Sequence, residues 1–176
     1  MITNYFIEKR INRAIHDQRY VSLIDFSKAK SIALVSVITK GMQYESIGDD
    51  LKHFSLDSNN EYFFYAPAKL LMTEEICGGK LNKISMKDFS FFCYPKNQLV
   101  SKLESKQFDL LINIDFSNNI LSHYLSASIP ANFKIGLSGE AFSNVYDLTL
   151  RMAENNTIES YFKHLNFYLK ALIGNQ

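Results

Sequence analysis

The sequence predicts an α/β fold of three-layer, Rossmann-like type, with a mainly parallel sheet of about six strands and an antiparallel edge strand. Three observations predict it. Strand-like and helix-like runs alternate along most of the chain, the pattern of a sheet covered on both faces by its connecting helices. Two runs, Ser31–Ile38 and Phe108–Asp115, are almost continuously apolar and rich in β-branched residues, as strands buried on both sides must be. The 176 residues, 47% hydrophobic and 21% charged, are enough for one ordinary core and too apolar for a disordered chain. Residues 1–176 are accordingly read as a single α/β domain.

The first element is an amphipathic helix at about 2–18, in which Ile7, Ile11, Ala14 and Ile15 recur at helical spacing and Lys9, Arg10 and Arg13 form a solvated basic face. After a polar break at Ser27–Lys30 comes the strand Ser31–Ile38, then a returning helix from Gly41 to about Phe54, with Met42, Ile47, Leu51 and Phe54 for the sheet. Glu61–Tyr65 is the second strand, ended by Pro67. Ala68–Ile76 reads as a helix that Gly78 and Gly79 stop by supplying a left-handed cap. Lys87–Cys93 is the expected third strand. Pro95 marks the start of a helix whose inward residues are Leu99, Leu103 and Val100.

Phe108–Asp115 is the clearest strand of the chain. The helix from about Asn118 to Ser128 follows and is stopped by Pro130, and Phe133–Gly136 forms a short fifth strand. Val145–Leu150 comes too soon after it for a helical crossover, which a parallel neighbour ordinarily needs, so this sixth strand is expected to be antiparallel or paired elsewhere at the edge. The last helix carries Ile158, Tyr161, Phe162, Leu165, Tyr168, Leu169 and Leu172 on a repeating face that closes the core.

Charge and composition narrow the function. A net charge of +1 removes the field that phosphate-driven nucleic-acid binding requires. The 14% aromatic content is all Phe and Tyr, in a chain rich in Asn, Lys, Ile and Ser, a bias that A/T-rich coding produces without any base-stacking role. No apolar run approaches a membrane span, and Glu8, Lys9 and Arg10 interrupt the segment where an export signal would lie. Cys77 and Cys93 are too far apart for a CxxC motif and too few for a disulfide scaffold, which together with the missing signal leads to an expectation of cytoplasmic residence. His16, His53, His123 and His164 are scattered without metal-ligand spacing, so neither a metal nor a cofactor is called for.

Across Asp25-Phe-Ser-Lys-Ala-Lys-Ser-Ile-Ala-Leu-Val35, Phe108-Asp-Leu-Leu-Ile-Asn-Ile-Asp115, Tyr124–Gly136 and Tyr146-Asp-Leu148 the chain resembles a family of uncharacterised small α/β proteins of Bacteroidetes bacteria. That resemblance implies the fold and brings no catalytic residue with it. The stretch Phe108–Gly136 is also similar to part of the N-terminal half of heptosyltransferase-like glycosyltransferases. Those enzymes hold the nucleotide sugar largely in a second Rossmann-like domain, for which this chain has no room. The similarity implies an enzyme acting on a nucleotide-sugar or phosphorylated sugar only with a partner domain.

Three motifs sit where ligands bind in such folds. Thr39-Lys40-Gly41 leaves the first strand, but one glycine does not make a Walker or dinucleotide loop, which need several backbone N–H groups close to phosphate. Asp115-Phe-Ser-Asn-Asn119 leaves the fourth strand. Ser117 or Asn118 could cap the next helix, and Asp115 could orient hydroxyls or hold a cation. His123 reads as a satisfied semi-buried or surface histidine. Ser138-Gly139-Glu140 is a turn; the GxSxG spacing of a nucleophile elbow is absent. In a doubly wound sheet the strand order reverses beside the first strand, and loops splay apart there at the carboxyl edge. If the fourth strand is the neighbour across that reversal, Thr39, Lys40 and Gly41 face Asp115, Ser117 and Asn118 across a crevice. The expectation is a non-catalytic module binding a small-molecule ligand or a protein partner, with homodimerisation and enzymatic activity left open.

Overall fold

The computed structural model of the protein describes residues 2–15, 29–38, 59–66, 75–76, 79–91, 94–138, 142–152 and 157–173. Its strands are β1 (Ser31–Val37), β2 (Asn59–Tyr65), β3 (Glu75–Ile76), β4 (Gly79–Ile84), β5 (Phe108–Asn113), β6 (Ala131–Leu137) and β7 (Leu148–Leu150). Its helices are α1 (Ile2–Ile15), α2 (Asn97–Glu104), α3 (Ile120–Ser128) and α4 (Ile158–Ile173). The strands form one sheet in the order β3-β4-β2-β1-β5-β6-β7. Six of them run parallel, and the two-residue β3 lies antiparallel to β4.

β1 lies between β2 and β5 because its side chains can be buried on both faces. Ile32 and Leu34 point to the face covered by α4, where Tyr62, Phe64, Ile112, Ile114, Tyr161, Phe162 and Leu165 complete the core. Ala33 and Val35 point to the other face, beside Phe63 and Leu111, beneath α1, α2 and α3 through Ile11, Leu99, Leu103 and Leu125. Each fully buried aliphatic side chain in these layers is worth about 1.5–3 kcal/mol relative to exposure. A polar lock sets the pairing at the amino ends of β1 and β5. The Asp109 carboxylate accepts from the Lys30 and Ser31 N–H groups at 2.9 and 3.0 Å, and the Ser31 hydroxyl accepts from the Asp109 N–H at 3.1 Å.

Several expected elements are corrected. The strand that the sequence places at Lys87–Cys93 is instead β4, Gly79–Ile84. Its buried Asn82, satisfied by Glu61 Oε2 at 3.0 Å, hides it from a reading based on apolar runs alone. Residues Met86–Asp88 form instead a 3-10 turn, closed by a capping box in which the Ser85 hydroxyl accepts from Lys87 N–H and Asp88 Oδ2 accepts from Ser85 N–H. Glu75 and Ile76 are strand rather than helix, and a Cβ on Gly79 would overlap the Tyr62 ring, so that glycine serves close packing rather than a helix cap. The expected helices over Gly41–Phe54 and most of Ala68–Ile76 lie outside the described residues, as do both cysteines.

The expected antiparallel pairing of Val145–Leu150 is also overturned: β7 runs parallel to β6, in the register Ile135–Leu148 and Leu137–Leu150. The crossover is compressed by a 3-10 turn at Ser143–Val145, entered through Phe142 at φ 64°, and a strand of three residues asks for no longer return. Asp147 secures it, donating from its N–H to Lys134 O at 2.8 Å and accepting the Lys134 N–H at 2.7 Å. In α4, Ile158, Tyr161, Phe162 and Leu165 are buried as the periodicity predicts, whereas Tyr168 is exposed. Among the described residues no helix is long and apolar enough to cross a membrane.

Candidate functional site at the carboxyl edge

β1 and β5 are adjacent and parallel, with Ala33 opposite Leu111 and Val35 opposite Asn113, and the Ile114 N–H donates to Val35 O at 2.8 Å. The chain goes from β1 to β2 on one side and later returns to β5 on the other. The strand order therefore reverses between β1 and β5, and Ile38 and Asp115 leave the sheet at the same edge. Thr39, Lys40 and Gly41 lie outside the described residues.

The loop after β5 is shaped by a carboxylate. Asp115, buried at 4% exposure, accepts at Oδ1 from the Ser117 N–H (3.1 Å) and the Ser117 hydroxyl (2.6 Å), and at Oδ2 from the Asn119 N–H (2.9 Å). The N-cap of α3 is Asn119, whose Oδ1 accepts from the Leu121 N–H at 3.0 Å, rather than Ser117 or Asn118. Ser117 is committed to Asp115. Asn118 stands exposed between them in the left-handed region, φ 51°, a conformation Asn tolerates better than other non-glycine residues.

Behind this loop runs a buried relay whose proton positions follow by elimination. The Ser122 hydroxyl donates to Asn119 O at 2.7 Å, and the Asp115 N–H donates to Asn113 Oδ1 at 2.9 Å, so the Asn113 amide nitrogen must face the other way. That Nδ2 donates to Ser122 Oγ at 3.2 Å and to the Tyr146 hydroxyl oxygen at 2.6 Å. Asn118 Oδ1 can only accept, so His123 Nε2–H donates to it at 2.7 Å, and in the neutral ring Nδ1 then accepts from the Tyr146 O–H at 2.8 Å. Burial pushes the His123 pKa below its ordinary value, with Asp115 acting in the opposite sense, so the neutral ring the relay requires is also the favoured form. Burial likewise raises the Tyr146 phenol to about 12, keeping its proton available to His123.

Gly136 makes the relay geometrically feasible. A Cβ there would lie 2.7 Å from three atoms of the Tyr146 ring, so only glycine on β6 lets that ring lie against the strand and bring its hydroxyl to Asn113 and His123. With the sheet and this loop in place, residues 3–172 match one family model. The chain belongs to the family of unknown function DUF6913. No curated protein and no solved structure matches this DUF6913 chain.

The arrangement anchors an exposed residue on buried ones. Asn118 is held at its backbone by the Asp115 turn and at its Oδ1 by His123, and its amide nitrogen remains for a partner outside the loop. Asn113, Asn119 and Tyr146 were not singled out by the sequence motifs. A signal existed for one of them: Asn113 is a polar residue interrupting an apolar strand. Of the third motif, Ser138 donates its N–H to Leu150 O at 2.8 Å and so continues the β6–β7 pairing; Gly139 and Glu140 lie outside the described residues. Among the described residues no group of three or more His, Cys, Asp and Glu side chains could hold a metal ion.

Proposed function

We propose that this DUF6913 protein is a non-catalytic binding module whose ligand, a small polar molecule, seats at the carboxyl edge between the loops that leave β1 and β5. The observation that carries this reading is the full internal engagement of the acid and base at that edge. Asp115 spends both carboxylate oxygens on its own loop, and His123 spends both ring nitrogens on Tyr146 and Asn118. Neither is available to take a proton from a substrate, which general acid–base catalysis would require within hydrogen-bond reach. What the edge offers among the described residues is a pre-organised hydrogen-bonding group, the Asn118 amide; Thr39, Lys40 and Gly41 are assigned to the same ligand from their place in the sequence after β1. Ser117 and Asp115 shape the site rather than touch the ligand.

Thermal-shift fluorimetry against nucleotides, sugars and sugar phosphates, repeated with Asn118→Ala, tests this reading. A selective rise in midpoint that Asn118→Ala removes supports it, and no rise with any compound directs attention to a protein partner, a second copy of the chain included. Residence of the whole chain in the cytoplasm, as one domain, belongs to the same proposal; a native disulfide between Cys77 and Cys93 would contradict it.

A second reading is an enzyme acting on a nucleotide-sugar or phosphorylated sugar with a partner domain. It is favoured by one observation. The stretch that resembles heptosyltransferase-like glycosyltransferases, alongside the resemblance to Bacteroidetes proteins, folds as strand, helix and strand in β5, α3 and β6. Co-purification of a second Rossmann-like chain, with donor turnover by the pair alone, would establish it.

A further inference from the structure

At the opposite, amino edge of the sheet, a cavity of about 520 Å³ opens between α1, α2 and the carboxyl end of α3. This volume lies within the ~300–1,000 Å³ usual for small-molecule sites. Its wall carries Arg10 and Arg13 from α1, Glu104 from α2, Tyr124 and Ser128 from α3, and Lys134 from β6. Arg10 and Arg13 are three residues apart, so both guanidinium groups project from one side of the helix. The ion pairs among the described residues are Lys106–Glu61 and Lys163–Glu159, and neither involves Arg10, Arg13 or Glu104.

Lys134 is buried at 4% exposure, and its Nζ donates to Ser126 O at 2.6 Å and Ala127 O at 3.1 Å. It thereby covers the last carbonyls of α3, whose partial negative charge would otherwise repel an anion in the cavity. The chain as a whole is nearly neutral, at +1, yet this wall sets three cations against one carboxylate. Such a concentration of one sign in a concave, partly apolar wall focuses potential and attracts the opposite charge.

We propose that this cavity binds a small phosphate monoester, with Arg10 and Arg13 on the phosphate and Glu104 accepting from hydroxyls of the attached group. Guanidinium forks match phosphate oxygens with paired, charge-assisted hydrogen bonds, and two forks one helical turn apart suit a dianion better than a monoanion. Tyr124 and Ser128 add hydroxyls on the α3 side. The site is separate from the carboxyl-edge site and does not depend on it.

The test is titration of the full chain with ribose 5-phosphate, and with ribose as the uncharged control, at constant ionic strength. Ribose 5-phosphate should bind and ribose should not. Arg10→Gln and Arg13→Gln should each weaken binding about tenfold or more, Arg13→Lys should lose less, and Asn118→Ala should leave the affinity unchanged. Both arginines are exposed, so the single variants should melt with the parent; if either fails to fold, the comparison of Arg13→Lys with Asn118→Ala decides. Equal binding of ribose, equal binding of sodium sulfate, or an affinity indifferent to every arginine variant would overturn the proposal.

Discussion

Replacing Tyr146 with Phe removes one oxygen atom and tests the buried relay at its centre. The hydroxyl receives Asn113 Nδ2 at 2.6 Å and donates to His123 Nδ1 at 2.8 Å. Asn113 retains a second acceptor in Ser122 Oγ at 3.2 Å, so its loss is a single neutral hydrogen bond, about 0.5–1 kcal/mol. His123 Nδ1 loses its proton donor while its side chain is only 4% exposed, and a buried acceptor left unsatisfied costs about 1–3 kcal/mol. The sum is about 1.5–4 kcal/mol, which for a protein of this size corresponds to a fall in Tm of roughly 3–16 °C. Thermal unfolding followed by circular dichroism, with urea titration for the free energy, measures it. A Tyr146→Phe variant melting within about 2 °C of the parent would refute the relay as a load on stability, and with it the claim that Asn118 is positioned from the core.

Gly136→Ala should cost about 1–3 kcal/mol, because the added methyl meets a rigid, buried ring instead of the end of a flexible chain, and its crystal structure should show Tyr146 displaced from Asn113. Asp115→Asn should destabilise by about 1–3 kcal/mol in urea titration, since an amide nitrogen cannot accept from the Ser117 or Asn119 N–H; an unchanged midpoint would release Asp115 for a direct role with ligand. His123 has a folded pKa below the 6.5 of the unfolded chain, so the unfolded state binds more protons in acid. Its contribution to stability is complete above about pH 6.5 and is lost as the pH falls from there through the folded pKa; the dependence should flatten in His123→Gln, and a parent midpoint independent of pH across that window would contradict the assignment.

The central sheet was legible because β1 and β5 are buried on both faces, and burial on both faces leaves an unbroken apolar run in the sequence. Legibility failed where polar residues take inward positions. β4 hides behind Asn82, whose partner Glu61 is distant in sequence, and the Phe-rich segment after it imitates a strand while the Ser85–Asp88 capping box turns the chain. The direction of β7 could not be read from connection length, because a 3-10 turn crosses in fewer residues than a helix does. At the candidate site the short Asp115–Asn119 loop was visible as a motif, since its bonds are local. Its function within the loop depends on Tyr146, which reaches it only through the β6–β7 crossover and the missing side chain of Gly136. Long-range contacts of that kind leave little local pattern, and the cavity framed by Arg10, Arg13 and Lys134 is illegible for the same reason: α1 and β6 meet only in the folded chain.

Amide and side-chain NMR of the uniformly labelled protein, titrated with a compound selected by thermal shift, tests the central claim most directly. The account predicts perturbations at Asn118, Ser117 and Ile38, their loss in Asn118→Ala with Arg10→Gln as an unaffected control, and a ligand recovered chemically intact. For a compound whose thermal shift survives Arg10→Gln, which sets aside ligands of the amino-edge cavity, perturbations confined to other surfaces, or steady conversion of the bound compound into product by the purified chain, would contradict it.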